Sequence, residues 1–134
     1  MYKQEAIQFV TAMYKDIVVG LDIEKIPFYF KEEYYQVTDG VKTNRDEFTK
    51  HIATLKEIVD KLEISPFYDA LFDEELQTLA LRYTVDVAKK NGSRGQVELI
   101  AIFELDDHKI VRCNEISQPL NDATDFKEIA SISH

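Results

Sequence analysis

The segment from Leu76 to Leu120 constrains the fold more than any other part of the chain. It contains three stretches, "LQTLALRYTVDVAKK", "QVELIAIFEL" and "KIVRCNEISQPL", whose apolar residues recur at every second position. That period belongs to β-strands. In the first stretch Leu79, Leu81, Tyr83, Val85 and Val87 share one face, while Arg82, Thr84 and Asp86 share the other. "NGSRG" and "DDH" separate the stretches, and both are short turn-forming sequences. Consecutive strands with tight connections predict an antiparallel sheet.

The middle stretch is apolar on both faces, with Leu99, Ala101 and Phe103 on one and Ile100 and Ile102 on the other. Such a strand needs cover on each side. Helices can supply one layer. A second copy packed on the sheet face is expected to supply the other, with the tail at 121–134 as the alternative cover. The third stretch places Val111, Cys113, Glu115 and Ser117 on one face and Ile110, Arg112, Asn114 and Ile116 on the other.

The first half of the chain is mostly helical. Ala6, Phe9, Val10, Met13 and Ile17 recur at helical spacing and predict a helix over 3–19, stopped at Gly20. Asp22 is placed to cap a short helix, "IEKI", ended by Pro27. "FYFKEEYYQVTDG" predicts a strand over 33–38 closing in an Asp-Gly turn. Asn44 with Glu47 makes a capping box for a long helix whose stripe is Phe48, Ile52, Leu55, Val59 and Leu62. Residues 62–73 then read as a strand that Pro66 bends or confines to an edge. Helices followed by a run of strands make an α+β layout, with the whole chain, 1–134, as one domain.

Composition narrows the function classes. The net charge of −9 repels phosphate backbones and anionic headgroups, so neither nucleic acid nor a membrane is an expected partner. No apolar run is long enough to span a bilayer. Cys113 is the single cysteine and has no internal disulfide partner, which points to a reducing cytoplasm. No zinc-ligand spacing, Gly-rich phosphate loop or dinucleotide fingerprint occurs, so neither metal nor cofactor is expected.

The stretches "AMYKDIVVGLDIEKI", "FYFKEEYYQVTDG", "NRDEFTKHIATLK" and "GQVELIAIFELDDHKIVRCNEIS" resemble the nuclear transport factor 2-like superfamily over nearly the whole chain. "CNEIS" and "FTKHIATLK" resemble most its small bacterial SnoaL-like proteins. The resemblance implies a cystatin-like cone, with long helices packed on a curved, mostly antiparallel sheet and a pocket between them. It covers ketosteroid isomerase, scytalone dehydratase, limonene epoxide hydrolase and polyketide cyclases, so it implies a fold more firmly than an activity. Tyr14 matches the helix-borne oxyanion donor of ketosteroid isomerase, and Asp39 lies where that enzyme has its proton-shuttling aspartate. The second acid of that enzyme would fall near position 101, where this chain has Ala101. Arg82 and Asp86 lie on the polar face of their strand and do not assemble an epoxide-hydrolase relay, and the dehydratase's paired histidines are absent.

His51 borders the apolar stripe of its helix, and Glu115 shares the less polar face of its strand with Cys113. A neutral imidazole and a carboxyl raised by apolar surroundings both suit proton transfer near neutral pH. The expectation is therefore an acid–base pair, His51 and Glu115, with Glu115 orienting or charging His51, and Asp39 as a further base. Tyr14, Tyr34, Tyr35, Tyr83, Leu55, Ala101, Phe103 and Cys113 are expected in the walls around a small apolar molecule. A non-catalytic ligand-binding module and a dimeric protein adaptor remain open alternatives.

Overall fold

The computed structural model describes residues 1–120; the tail, the alternative cover for the sheet, lies outside the described residues. Helix α1 spans Lys3–Met13 and buries Ala6, Val10 and Met13. Its start is held by the Tyr2 backbone N–H donating to Glu5 Oε1 at 3.1 Å. The expected single helix does not continue as such. From Tyr14 to Val19 the chain widens into a π-helical turn, which buries Tyr14 and Ile17. It closes at Gly20, whose N–H donates to Lys15 O at 2.9 Å. A Cβ at position 20 would lie 2.7 Å from Asp16 O, so glycine stops this helix by allowing close backbone approach.

Asp22 caps as expected, accepting from Glu24 N at 3.2 Å. Pro27 does not end the segment, however. A 3₁₀ turn over Ile23–Lys25 runs into helix α2, Ile26–Tyr29, with Pro27 in its first turn. No intrahelical partner exists there for an N–H, so proline costs nothing.

Helix α3, Arg45–Ile58, carries the expected capping box: Glu47 N donates to Asn44 Oδ1 at 2.9 Å, and Asn44 N to Glu47 Oε1 at 3.0 Å. It buries Phe48, His51, Ile52, Thr54 and Leu55. Val59 and Leu62 belong instead to strand β3, Val59–Ile64. They keep helical spacing and both stay buried because a register shift between Val59 and Lys61 changes the strand's parity.

Strand β1 spans Phe30–Thr38 and β2, unforeseen from the sequence, spans Val41–Asn44. The stretch around Pro66 divides into β3 and β4, the latter Asp69–Asp73, with Pro66 between them. Strands β5 (Thr78–Lys89), β6 (Arg94–Asp106) and β7 (Lys109–Pro119) form the expected meander. The sheet order is β2-β1-β7-β6-β5-β3, with β4 also paired to β5. Every pairing is antiparallel except β1 with β7. The predicted α+β cone is therefore the observed one.

The inner sheet face packs on the helices through Leu79, Leu81, Val97, Leu99, Ala101 and Ile110, all buried. On the outer face Ile100 and Ile102 remain exposed. Among the described residues no helix is long and apolar enough to cross a membrane.

Candidate functional site

A cavity of about 90 Å³ lies between α3, the π-helical turn and the inner face of the sheet. Of the predicted site residues, His51, Glu115, Tyr14, Tyr34, Tyr83, Leu55, Phe103 and Cys113 all line it. Three do not. Tyr35 follows an inward-facing Tyr34, and strand alternation turns it to the opposite face, where Lys42 Nζ sits 4.8 Å from its ring centre. Ala101 is fully buried and stands opposite Glu115 in the β6–β7 register, but its methyl is not part of the cavity wall. Asp39 lies in the exposed β1–β2 turn with φ of +50°, and its carboxylate accepts from Ser117 N at 2.7 Å and Ser117 Oγ at 2.5 Å. It is a turn residue tied to β7 and does not reach the cavity.

Two groups of polar side chains face this space. On one side, Tyr14 Oη donates to Tyr83 Oη at 2.6 Å, with the rings edge to face at 5.0 Å. The π-helical turn supplies the first tyrosine and the centre of β5 the second. Burial pushes both hydroxyls well above the usual range, although Tyr14's donation favours the Tyr83 oxyanion. Tyr83 is thus an acceptor from Tyr14 whose own proton is available to another acceptor.

On the other side is Glu115. Its carboxyl is pushed up to about 7, first by the protein crowding it, with a hydrogen bond from Thr38 acting downward and the Asp39 charge upward. One edge of the residue still reaches solvent. Among the described lining residues only Val18 and Glu115 are not buried, so they mark where the cavity approaches the surface. Glu115 acts electrostatically on Tyr14, Tyr34, Tyr83 and Cys113, raising each of them.

Of the expected His51–Glu115 pair, in which Glu115 orients or charges His51, the charged form is disfavoured. Burial lowers His51 to about 4, so the imidazole is neutral at physiological pH. Glu115 is shifted by its burial, Thr38 and Asp39. The helix and the sheet bring the two residues to one cavity, yet a charged imidazolium is not what this environment favours. Cys113 is buried and its thiol pushed well above the usual range, chiefly by desolvation, which removes it as a ready nucleophile.

Gln36 and Thr38 are buried polar residues that the sequence did not single out. Tyr34 Oη donates to Gln36 Oε1 at 2.7 Å, Gln36 Nε2 donates to Thr38 Oγ1 at 3.1 Å, and Thr38 Oγ1 donates to Glu115 Oε1 at 2.9 Å. Their signal was present, since Tyr34, Gln36 and Thr38 alternate along one strand face. Among the described residues, no group of three or more His, Cys, Asp or Glu side chains comes together as a metal site.

The fold is shared by proteins of known structure. PrhC from Penicillium brasilianum superposes with a TM-score of 0.77 at 15% identity, covering 87% of this chain and 82% of its own. AclR from Streptomyces galilaeus does so with a TM-score of 0.76 at 14% identity, covering 98% and 99%. An LEH-like epoxide hydrolase of M. tuberculosis gives a TM-score of 0.72 at 15% identity, over 87% and 84%. The fold is the nuclear transport factor 2-like cone. No family model matches the sequence. An uncharacterised protein of Schizosaccharomyces pombe is 19% identical over 130 residues, 96% of this chain and 98% of that protein. That relative is fungal, so the bacterial likeness read from the sequence does not settle the chain's source.

Proposed function

We propose that this chain is a SnoaL-like protein that carries out acid–base chemistry without a cofactor on a small, uncharged, mainly apolar molecule. The observation that carries this reading is Glu115, a carboxyl poised near neutrality in a mainly apolar cavity that also holds the Tyr14–Tyr83 hydroxyl pair. A group with a pKa near working pH both gives and takes a proton efficiently. Tyr83 would donate to an oxygen on the bound molecule while Glu115 moves the proton, and His51 would stay a neutral hydrogen-bonding group. Among the described residues neither lysine nor arginine lines the cavity, so an anionic ligand would find no cation there to pair with.

Size limits the ligand further. The cavity, at about 90 Å³, is smaller than the roughly 150 Å³ that admits benzene elsewhere. Anything larger must displace side chains near Val18 and Glu115. The fold neighbours support small-molecule chemistry in general terms. Besides the epoxide hydrolase they include a proposed polyketide cyclase of Xanthomonas campestris and a proposed isomerase of Bacillus subtilis.

The test is to incubate the protein with compact ketones and epoxides in deuterated buffer and follow exchange and ring opening by mass spectrometry. Wild type should turn over at least one class, with a midpoint in its pH profile near 7. Glu115→Gln should abolish turnover while calorimetric binding survives. Binding with no turnover of any probe would make the protein a ligand carrier instead.

We further propose a homodimer through the outer sheet face. Ile100 and Ile116 are register partners there and are 51% and 68% exposed. Ala80 lies between Ile102 and Leu71, extending the same apolar band. Salt bridges of Arg82 with Asp69 and of Arg112 with Glu104 lie on that face around the band. An apolar centre with a polar rim is the composition of a protein interface.

A further inference from the structure

We propose that Gln36 and Thr38 are positioning residues that anchor Glu115 by Oε1, so that the proton it exchanges with a bound molecule is carried on Oε2. This deepens the acid–base reading of the cavity and rests on it for the exchange itself.

Strand geometry brings the three residues together. β1 turns Tyr34, Gln36 and Thr38 inward, and its parallel pairing with β7 sets Thr38 beside Glu115 and Gln36 beside Cys113. The polarity of each link then follows from the one before it. The Gln36 amide presents Oε1 to Tyr34, and an amide oxygen only accepts, so Tyr34 Oη donates to it. The Gln36 nitrogen must therefore donate, and it donates to Thr38 Oγ1. A threonine hydroxyl has one proton, and with its oxygen already accepting, that proton goes to Glu115 Oε1.

An oxygen that accepts such a bond serves best as the carbonyl oxygen of the neutral acid. The acidic proton is then left on Oε2, which has no partner among the described residues. The backbone is clamped at the same place, with Asp39 N donating to Glu115 O at 3.0 Å. Gln36 and Thr38 are 5% and 1% exposed, so each buries a polar group whose hydrogen bonds are met inside this arrangement. Their arrangement ends on the one carboxyl that lines the cavity among the described residues.

Around Glu115, Tyr14 comes from the π-helical turn, Tyr34 from β1, the Asp39 charge from the turn after it, Tyr83 from β5 and Cys113 from β7; His51 of α3 lines the same cavity. Thr38 favours the ionised carboxylate and Asp39 opposes it. Removing the hydroxyl and removing the Asp39 charge must therefore move Glu115 in opposite directions.

The experiment is a carbon-13 NMR titration of the Glu115 carboxyl in glutamate-labelled protein, with Glu115→Gln identifying the resonance. Thr38→Val should raise the midpoint by about one pH unit, the size expected for one lost hydrogen bond to a charged group. Thr38→Ser should restore the wild-type midpoint. Gln36→Leu should raise it by less, because Thr38 stays in place but is no longer held in one orientation. Asp39→Asn should lower it. A Thr38→Val midpoint equal to wild type, or a Thr38→Ser midpoint shifted as far as that of Thr38→Val, would overturn the proposal. Should Thr38→Val not fold, Gln36→Leu decides in its place, since an unmoved midpoint there also sinks the proposal. The titration needs no substrate, so absence of turnover would fail the catalytic reading alone, while turnover with unmoved midpoints would fail this one alone.

Discussion

Glu115 and His51 make opposite demands on the folded state. Glu115 binds its proton more tightly when folded, with a pKa near 7 against an ordinary 4.5. Its contribution is full below about 4.5 and is lost as pH rises through 7. His51 resists protonation when folded, at about 4 against an ordinary 6.5, so its contribution is full above 6.5 and is lost as pH falls through 4. Each effect is worth up to about 3 kcal/mol, less for Glu115 with its solvent-facing edge. The two slopes offset each other over most of the mildly acidic range. Glu115→Gln should therefore uncover a stability that climbs steadily from pH 4 to 6.5, read by urea unfolding at a series of pH values. A flat profile in that variant would show that His51 is not held neutral. Cys113 should resist alkylation by iodoacetamide in the native protein and react at the ordinary rate in urea, because it is 2% exposed and its thiol is pushed up. Much of this site was legible from strand parity alone, which put Cys113 and Glu115 on the same side. Gln36 and Thr38 share the parity of Tyr34 but were passed over, because polar residues in a strand ordinarily mark its solvent face. Asp39 was misread for a related reason. Sequence position identifies a turn aspartate, but only the pairing with β7 shows that its carboxylate belongs to Ser117.

At the scale of elements, the π-helical turn is the feature with the clearest consequence. It holds Tyr14 against Tyr83 and brings Val18 to the cavity. Such turns cost helix regularity and occur mostly where a side chain must be placed for function. Gly20→Ala would put a methyl carbon 2.7 Å from the Asp16 carbonyl oxygen, so the turn must shift. The expected cost is about 1–3 kcal/mol in urea unfolding, of the size seen for overpacked sites. The Tyr14–Tyr83 contact should loosen with it, read as increased tyrosine ring mobility by NMR. Asn44→Ala should cost about 1 kcal/mol through loss of the α3 cap, with no change in the cavity. That capping box was readable directly, because capping is a local interaction within four residues. The boundary at Ile58 was not, because a bulged strand and a helix can both bury residues spaced as Val59 and Leu62 are.

At the scale of the whole molecule, the outer sheet face carries an apolar band that is exposed among the described residues. Ile100→Glu with Ile116→Lys should leave the circular dichroism spectrum unchanged and convert a dimer to a monomer in analytical ultracentrifugation. A wild-type protein that sediments as a monomer at all concentrations would reject the interface. Alternation along 76–120 was enough to determine the meander, the inward sets of β5 and β6 and the two-sided apolar character of β6, because strand parity is a property of the local backbone. Helix starts were determined for the same reason. Alternation misplaced Ile110, which turns inward where a register shift between Glu104 and Leu105 changes the parity of β7. What tertiary structure decided was the parallel pairing of β1 with β7, whose partners Thr38 and Glu115 stand 77 positions apart in the chain. That pairing sets Thr38 on Glu115, ties Asp39 to Ser117 and aligns Gln36 with Cys113. It depends on closure of the whole cone around its core, and no local pattern encodes which distant strand will lie alongside.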